Sequence, residues 1–309
     1  MKRTPELLKA GDRVAIVATA RKISSAELQP AIRLLESWGL EVMLPKNIYA
    51  ESNQFAGSDA ERASDLQWSL DREDVKAVFC ARGGYGTVRI VDMVDYKHLA
   101  EKPKWIVGYS DVTVLHSHLH TLLGMPTLHA TMPLNIPTDA VEKAYPSTES
   151  LKRALFEGEV CYNTKEHELN REGVADGLVV GGNLSILYSL CGSASDIDTE
   201  GKILFIEDLD EYLYHIDRMM QNLKRTGKLQ RLKGLIVGAM TDMHDNSIPF
   251  GKNAEEIVME AVAEYNYPVC FNAPFGHIGT ENKALILGEC LHMKSQTDGT
   301  FTLTQSMAK

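Results

Sequence analysis

The sequence predicts an α/β protein, with an N-terminal parallel sheet covered by helices on both faces and then a smaller mixed α/β domain. Three observations carry this. Short apolar, β-rich runs alternate with amphipathic helical stretches as far as Leu123, the pattern of strands buried on both faces. From about Asn135 to Asn170 the apolar pattern weakens amid Pro137, Pro146 and mixed charge, which reads as a crossover. Beyond it, strand-like and helix-like runs resume with less regularity. The division expected is therefore residues 1–140, a crossover at 141–170, and residues 171–309.

Val14 to Ala18 is the first strand. Ser24 and Glu27 form a capping box, Leu28, Ala31, Ile32 and Leu35 make a helical stripe, and Gly39 stands where a helix ends. Leu40 to Leu44 is a second strand. Ser58 and Glu61 repeat the capping box before a helix through Leu66 and Leu70. Val75 to Cys80 is a third strand, followed by the glycine loop Arg82-Gly83-Gly84-Tyr85-Gly86 and a helix from Thr87. Trp105 to Val107 is a fourth strand, and Val112 to Leu123 a helix. In the crossover one helix is expected near Ser150 to Phe156. Later strands are expected at Gly177–Val180, Ile203–Ile206, Leu235–Val237, Ala284–Leu287 and Phe301–Leu303. Helices are expected at Leu184–Leu190, Tyr212–Lys224 and Ala254–Tyr265.

A formal charge of −10 argues against a nucleic-acid surface, which needs clustered Lys and Arg, but leaves room for a local basic pocket. No apolar run reads as a signal peptide or a membrane span. The five cysteines are scattered, odd in number and without a C-x-x-C pair, so neither a disulfide framework nor a cysteine zinc site is expected. These features together read as a cytoplasmic protein with reduced thiols.

Ligand sites in such sheets lie beyond the carboxyl ends of the strands. Gly108-Tyr109-Ser110-Asp111 falls there, between a strand and a helix. Ser110 on that turn is either a helix N-cap or a nucleophile beside backbone N–H groups that can hold an oxyanion. Val112 replaces the last glycine of G-x-S-x-G, which argues against a lipase-type hydrolase. The Arg82–Gly86 loop is a tight turn, a phosphate loop or a ligand-facing backbone. It lacks the G-x-G-x-x-G and Walker signatures, and Gly84 N–H is its candidate oxyanion donor. Glu207 ends an apolar strand, where a carboxylate can orient a histidine. Asp208, Asp210 and Glu211 beside it suggest instead a solvated end or a metal site, for which no second ligand set stands out. Among ten histidines, His277 in Pro-Phe-Gly-His-Ile-Gly is the best base candidate. His116, His118 and His120 alternate on and off the buried face of a helix and do not converge on a metal. Gly181-Gly182-Asn183 is a strand-to-helix turn with Asn183 as N-cap, or a second glycine loop lining a cleft.

Together R-G-G-Y-G at Arg82–Gly86, G-Y-S-D at Gly108–Asp111, G-G-N-L at Gly181–Leu184, the strand-ending Glu207 and F-G-H at Phe275–His277 resemble the LD-carboxypeptidase family of serine peptidases. The resemblance runs over nearly the whole chain, with the motifs in order. It implies a flavodoxin-like, class I amidotransferase-like N-terminal domain and a homodimer. It also implies a Ser110-Glu207-His277 triad split between the domains, with Gly84 and Asp111 N–H groups as the oxyanion hole. Arg82, Gly83, Tyr85 and Asn183 are the expected substrate contacts, with Arg82 or the N–H groups near Gly83 as receptors for a terminal carboxylate. No metal or cofactor is implied. The substrate implied is a cytoplasmic muropeptide tetrapeptide that loses its terminal D-Ala in peptidoglycan recycling. The related microcin-immunity branch acts on peptidyl or aminoacyl nucleotides and stacks the base on a tryptophan loop. Here Trp38, Trp68 and Trp105 all fall in the first domain. A non-catalytic muropeptide binder is the alternative from another class.

Overall fold

The computed structural model describes residues 4–307. The N-terminal part runs β1 (Arg13–Val17), α1 (Ser25–Ser37), β2 (Glu41–Met43), α2 (Asp59–Asp71), β3 (Val75–Cys80), α3 (Lys97–Glu101), β4 (Trp105–Gly108), α4 (Thr113–Leu123) and β5 (Thr127–His129). The chain continues with α5 (Pro146–Phe156), β6 (Glu159–Asn163), β7 (Val174–Asn183), α6 (Leu184–Leu190), β8 (Ile203–Leu209), α7 (Leu213–Arg225), β9 (Gly234–Thr241), α8 (Ala254–Ala261), β10 (Val269–Cys270), β11 (Leu285–Leu287), β12 (Cys290–Ser295) and β13 (Phe301–Ser306).

Both capping boxes form: Ser24 accepts from Glu27 N–H and Ser58 from Glu61 N–H, while each glutamate reaches back to the cap. Each such cap stabilises its helix by about 0.5–2 kcal/mol. Gly39, with φ +83°, lets the chain leave α1 in the left-handed region.

The first sheet has the order β11-β5-β4-β3-β1-β2, in which β2-β1-β3-β4-β5 is the flavodoxin-like parallel arrangement. Its far edge, β11, is antiparallel and comes from residues 285–287, late in the chain. The second sheet has the order β10-β9-β8-β7-β12-β13-β6. Its β7–β10 half is parallel, and β12, β13 and β6 add antiparallel strands. Strand β7 serves both halves: Val174–Leu178 pairs antiparallel with β12 and Val179–Asn183 parallel with β8. The crossover segment thus carries α5 and also β6, which closes the edge of the second sheet.

Three expectations are corrected. Thr87 opens two short 3₁₀ turns, Thr87–Arg89 and Val91–Met93, and no α-helix. Gly86 at φ +144° breaks the helical path, and its carbonyl is taken by the buried Arg62 guanidinium at 3.0 Å. His116 and His118 are both buried, because α4 packs against β5, β7 and α6 and has little free face. Helix α8 also stops at Ala261, short of Tyr265.

Candidate active site

Five strand ends converge where the two sheets meet. Arg21 follows β1, Gly84 follows β3, Ser110 and Asp111 follow β4, Asn183 ends β7, and Glu207 to Leu209 end β8 with Asp210 and Glu211 just beyond. With His277, from the loop after β10, most of these residues line one cavity of about 350 Å³. Its walls come from both halves of the chain, so neither half alone encloses it.

Ser110 has φ +63°, a left-handed conformation that costs a non-glycine residue about 1–2 kcal/mol. Such strain lifts a nucleophile clear of its strand, as in other strand-to-helix elbows. The 3₁₀ turn Ser110–Val112 and then α4 follow it, leaving the first N–H groups of the turn without helical partners. Two contacts brace the elbow from behind. His116 Nε2, buried, donates to Gly108 O at 2.9 Å, and burial pushes its pKa down to about 4, so it stays neutral. Asp111 Oδ2, also buried, accepts from Thr87 N–H at 2.9 Å, joining the elbow to the glycine loop.

That loop lies directly on the nucleophile. A Cβ at Gly83 would stand 3.1 Å from Ser110 Oγ, and Gly84 has φ +114°. The bare backbone can therefore come close and present N–H groups beside Ser110.

Glu207 is fully buried at the end of β8, opposite Asn183 in register. Its Oε2 accepts from His277 Nδ1 at 2.7 Å. That bond fixes the tautomer and leaves Nε2 free to accept a proton. Burial alone would lower the pKa of His277, but the hydrogen bond and charge of Glu207 outweigh it and raise it above the usual 6.5. Gly276 makes the approach possible: at φ +108°, its Cβ would stand 2.7 Å from Glu207 Oε2. The Tyr109 ring packs 4.8 Å from the imidazole, and Thr241 Oγ1 donates to His277 O at 3.3 Å.

Asn183 caps α6 by accepting from Ile186 N–H, and its own N–H donates to Thr113 Oγ1 at 3.0 Å. A Cβ at Gly182 would stand 2.5 Å from that oxygen, so the glycine lets β7 touch α4. Asp208, read from the sequence only as part of an acidic strand end or a metal site, accepts from Asn183 Nδ2 at 2.9 Å and Ser185 N–H at 2.8 Å. Burial first, and then the charge of Glu207, push its pKa up to about 7. It ties the asparagine loop to the strand that carries Glu207.

The sequence-based site is thus partly assembled. Ser110, Glu207, His277, Gly84, Asp111, Gly83 and Asn183 come together. Arg82 does not join the cavity wall: its Nη1 donates to Lys22 O at 3.0 Å. Tyr85 also stays outside, exposed, with its ring 6.1 Å from Phe55. In their place stands Arg21, whose proximity arises from the turn after β1 and has no motif to announce it. Among the described residues no group of three or more His, Cys, Asp or Glu is arranged to hold a metal ion. No helix of the described residues is long and apolar enough to cross a membrane.

Comparison with known proteins agrees with this architecture. The LD-carboxypeptidase N-terminal domain matches residues 14–130, and the LD-carboxypeptidase C-terminal domain matches residues 176–293. A probable murein peptide carboxypeptidase of Bacillus subtilis (strain 168) is 39% identical over 264 residues, 84% of this chain and 80% of that protein. The structure of a muramoyltetrapeptide carboxypeptidase from Oxalobacter formigenes superposes with a TM-score of 0.85 at 28% identity, covering 96% of this chain and 99% of the other. The microcin C7 self immunity protein MccF shares the fold, with a TM-score of 0.84 at 19% identity over 98% of each chain. On the domain matches and the 39% identity over most of its length, the chain belongs to the LD-carboxypeptidase family.

Proposed function

We propose that the protein is a serine carboxypeptidase that hydrolyses the amide between an L-configured centre and the terminal D-Ala of a muropeptide tetrapeptide, in cytoplasmic peptidoglycan recycling. The observation that carries the reading is the Glu207–His277 hydrogen bond of 2.7 Å, beside a strained Ser110 that lines the same cavity. The names of the similar proteins point to the substrate class.

In this mechanism Ser110 Oγ attacks the amide carbonyl while its proton passes to His277 Nε2. The oxygen of the tetrahedral intermediate is held by Gly84 and Asp111 N–H groups. His277 then gives the proton to the departing nitrogen as the C–N bond breaks, freeing D-Ala and leaving a tripeptide ester on Ser110. Water, deprotonated by His277, attacks that ester, and the proton returns to Ser110 as the tripeptide leaves. Glu207 keeps the imidazole oriented and balances its positive charge. A homodimer is part of the proposal.

The test offers the protein a purified muramoyl tetrapeptide and, separately, an aminoacyl sulfamoyl adenosine. Release of D-Ala from the first, far faster than cleavage of the second, is expected. Preference for the sulfamoyl adenosine would move the protein to the nucleotide-conjugate reading. Binding of the tetrapeptide without hydrolysis would make it a non-catalytic muropeptide binder. None of Trp38, Trp68 or Trp105 lines the cavity, which favours the first outcome.

A further inference from the structure

We infer that Arg21 is the receptor for the free carboxylate of the substrate's terminal residue, and so the residue that restricts cleavage to the last bond. The inference rests on the proposed carboxypeptidase reaction. Only three bonds separate the scissile carbonyl carbon from the terminal carboxylate carbon, so the two lie at most about 4 Å apart. A receptor must therefore stand within a side chain's reach of the oxyanion site.

Arg21 meets that condition. Its Cδ and Nε lie 2.6 and 2.8 Å from where a Cβ on Gly84 would be, so its stem runs over the backbone that is to hold the oxyanion. It is, besides His277, the one cationic side chain among the described residues lining this cavity. It is also uncommitted: among the described residues its side chain makes no hydrogen bond, ion pair or ring contact. The neighbouring cations are all engaged. Arg82 donates to Lys22 O, Lys22 pairs with Glu51 at 2.6 Å, and Arg89 pairs with Asp59 at 2.6 Å. Arg62 is buried and bound to Thr19 O, Gly86 O and Asp59.

The opposite wall gives the cavity a direction. Asp208, Asp210 and Glu211 line it from the end of β8. Asp208 is only partly ionised near pH 7, and Asp210 and Glu211 are already bonded to His244 and His215, so that wall offers a carboxylate no free donor, whereas the guanidinium's planar fork matches its two oxygens. The terminal residue is thereby set on the Arg21 side, and the remainder of the peptide runs past the acidic wall.

The test measures binding by titration calorimetry to Ser110→Ala protein, so that no turnover intervenes, with the muramoyl tetrapeptide as free acid and as its C-terminal amide. The expected result is that the free acid binds roughly 10- to 100-fold more tightly, the range of a charge-assisted contact. Adding Arg21→Ala should abolish that preference, and Arg21→Lys should keep part of it. In the active protein Arg21→Ala should raise KM for the free acid by a similar factor with kcat less affected. An acid-over-amide preference that survives Arg21→Ala, or no preference with Arg21 present, overturns the inference alone. Binding of neither peptide removes the muropeptide reading, and the inference with it.

Discussion

Replacing Glu207 by Gln keeps the shape of the side chain and removes its charge. The carboxylate is fully buried and 2.7 Å from His277 Nδ1, so water does little to screen the pair. A hydrogen bond to a charged group contributes about 1.5–3 kcal/mol, and an ion pair about 4 Å apart at an effective dielectric of 20 is worth about 4 kcal/mol. The two overlap, and the imidazolium that forms in the transition state loses most of the larger one. A fall in kcat of roughly 10²- to 10³-fold follows, with KM nearly unchanged. The pH profile supplies a second readout. His277 works as a neutral base, so kcat/KM climbs as pH rises through its pKa, which Glu207 holds above 6.5. In Glu207→Gln burial prevails, and the acid limb moves to lower pH. The assay is D-Ala release from the tetrapeptide between about pH 5 and about pH 9, with circular dichroism to establish that the variant is folded. A kcat within tenfold of wild type, or an acid limb that stays in place, would refute the assignment of Glu207 as the partner of His277.

Two further substitutions probe separate links. Gly84→Ala forces a side chain into φ +114° and places its Cβ 2.6 Å from Arg21 Cδ, so the loop must shift and its N–H loses aim. The expected loss is about 10²- to 10³-fold in kcat, together with a rise in KM because Arg21 is pushed aside, measured by steady-state kinetics; a near-normal kcat would remove Gly84 from the oxyanion hole. Phe205→Ala empties a fully buried position whose ring lies 5.5 Å from Phe275 and 4.9 Å from His129. It should cost about 3–5 kcal/mol in denaturant unfolding, and a cost under about 1 kcal/mol would show that the core beneath the site collapses around the gap.

Much of the fold was legible in the sequence because its signals are local. Ser24 with Glu27, and Ser58 with Glu61, mark the starts of α1 and α2 through hydrogen bonds only three residues long. The largely apolar run Val75–Cys80 has the same bounds as β3, all but Lys76 of it buried. What was not legible depends on distant partners. Strand β5 is three residues long and is defined by β4 on one side and residues 285–287 on the other. Strand β12 owes its place to pairing with β7 and β13, more than its own alternation shows. The same division runs through the site. Ser110 sits between a strand end and a helix after Gly108, Glu207 ends an apolar strand and His277 lies between Gly276 and Gly279, so each could be named singly. That His277 Nδ1 meets Glu207 Oε2 depends on Gly276 fitting against the glutamate across 70 residues of chain. Arg82 occupied the more conspicuous motif, yet its guanidinium turns to Lys22 O, while Arg21 enters the cavity from an unremarkable turn.

The most direct test of the account compares wild type and Ser110→Ala, side by side, for D-Ala release from a purified muramoyl tetrapeptide. The account predicts release by the wild type and a loss of at least about 10³-fold in the variant, which should fold and melt as the wild type does. A folded Ser110→Ala protein that still releases D-Ala within tenfold of the wild-type rate would contradict it, since the nucleophile would then lie elsewhere.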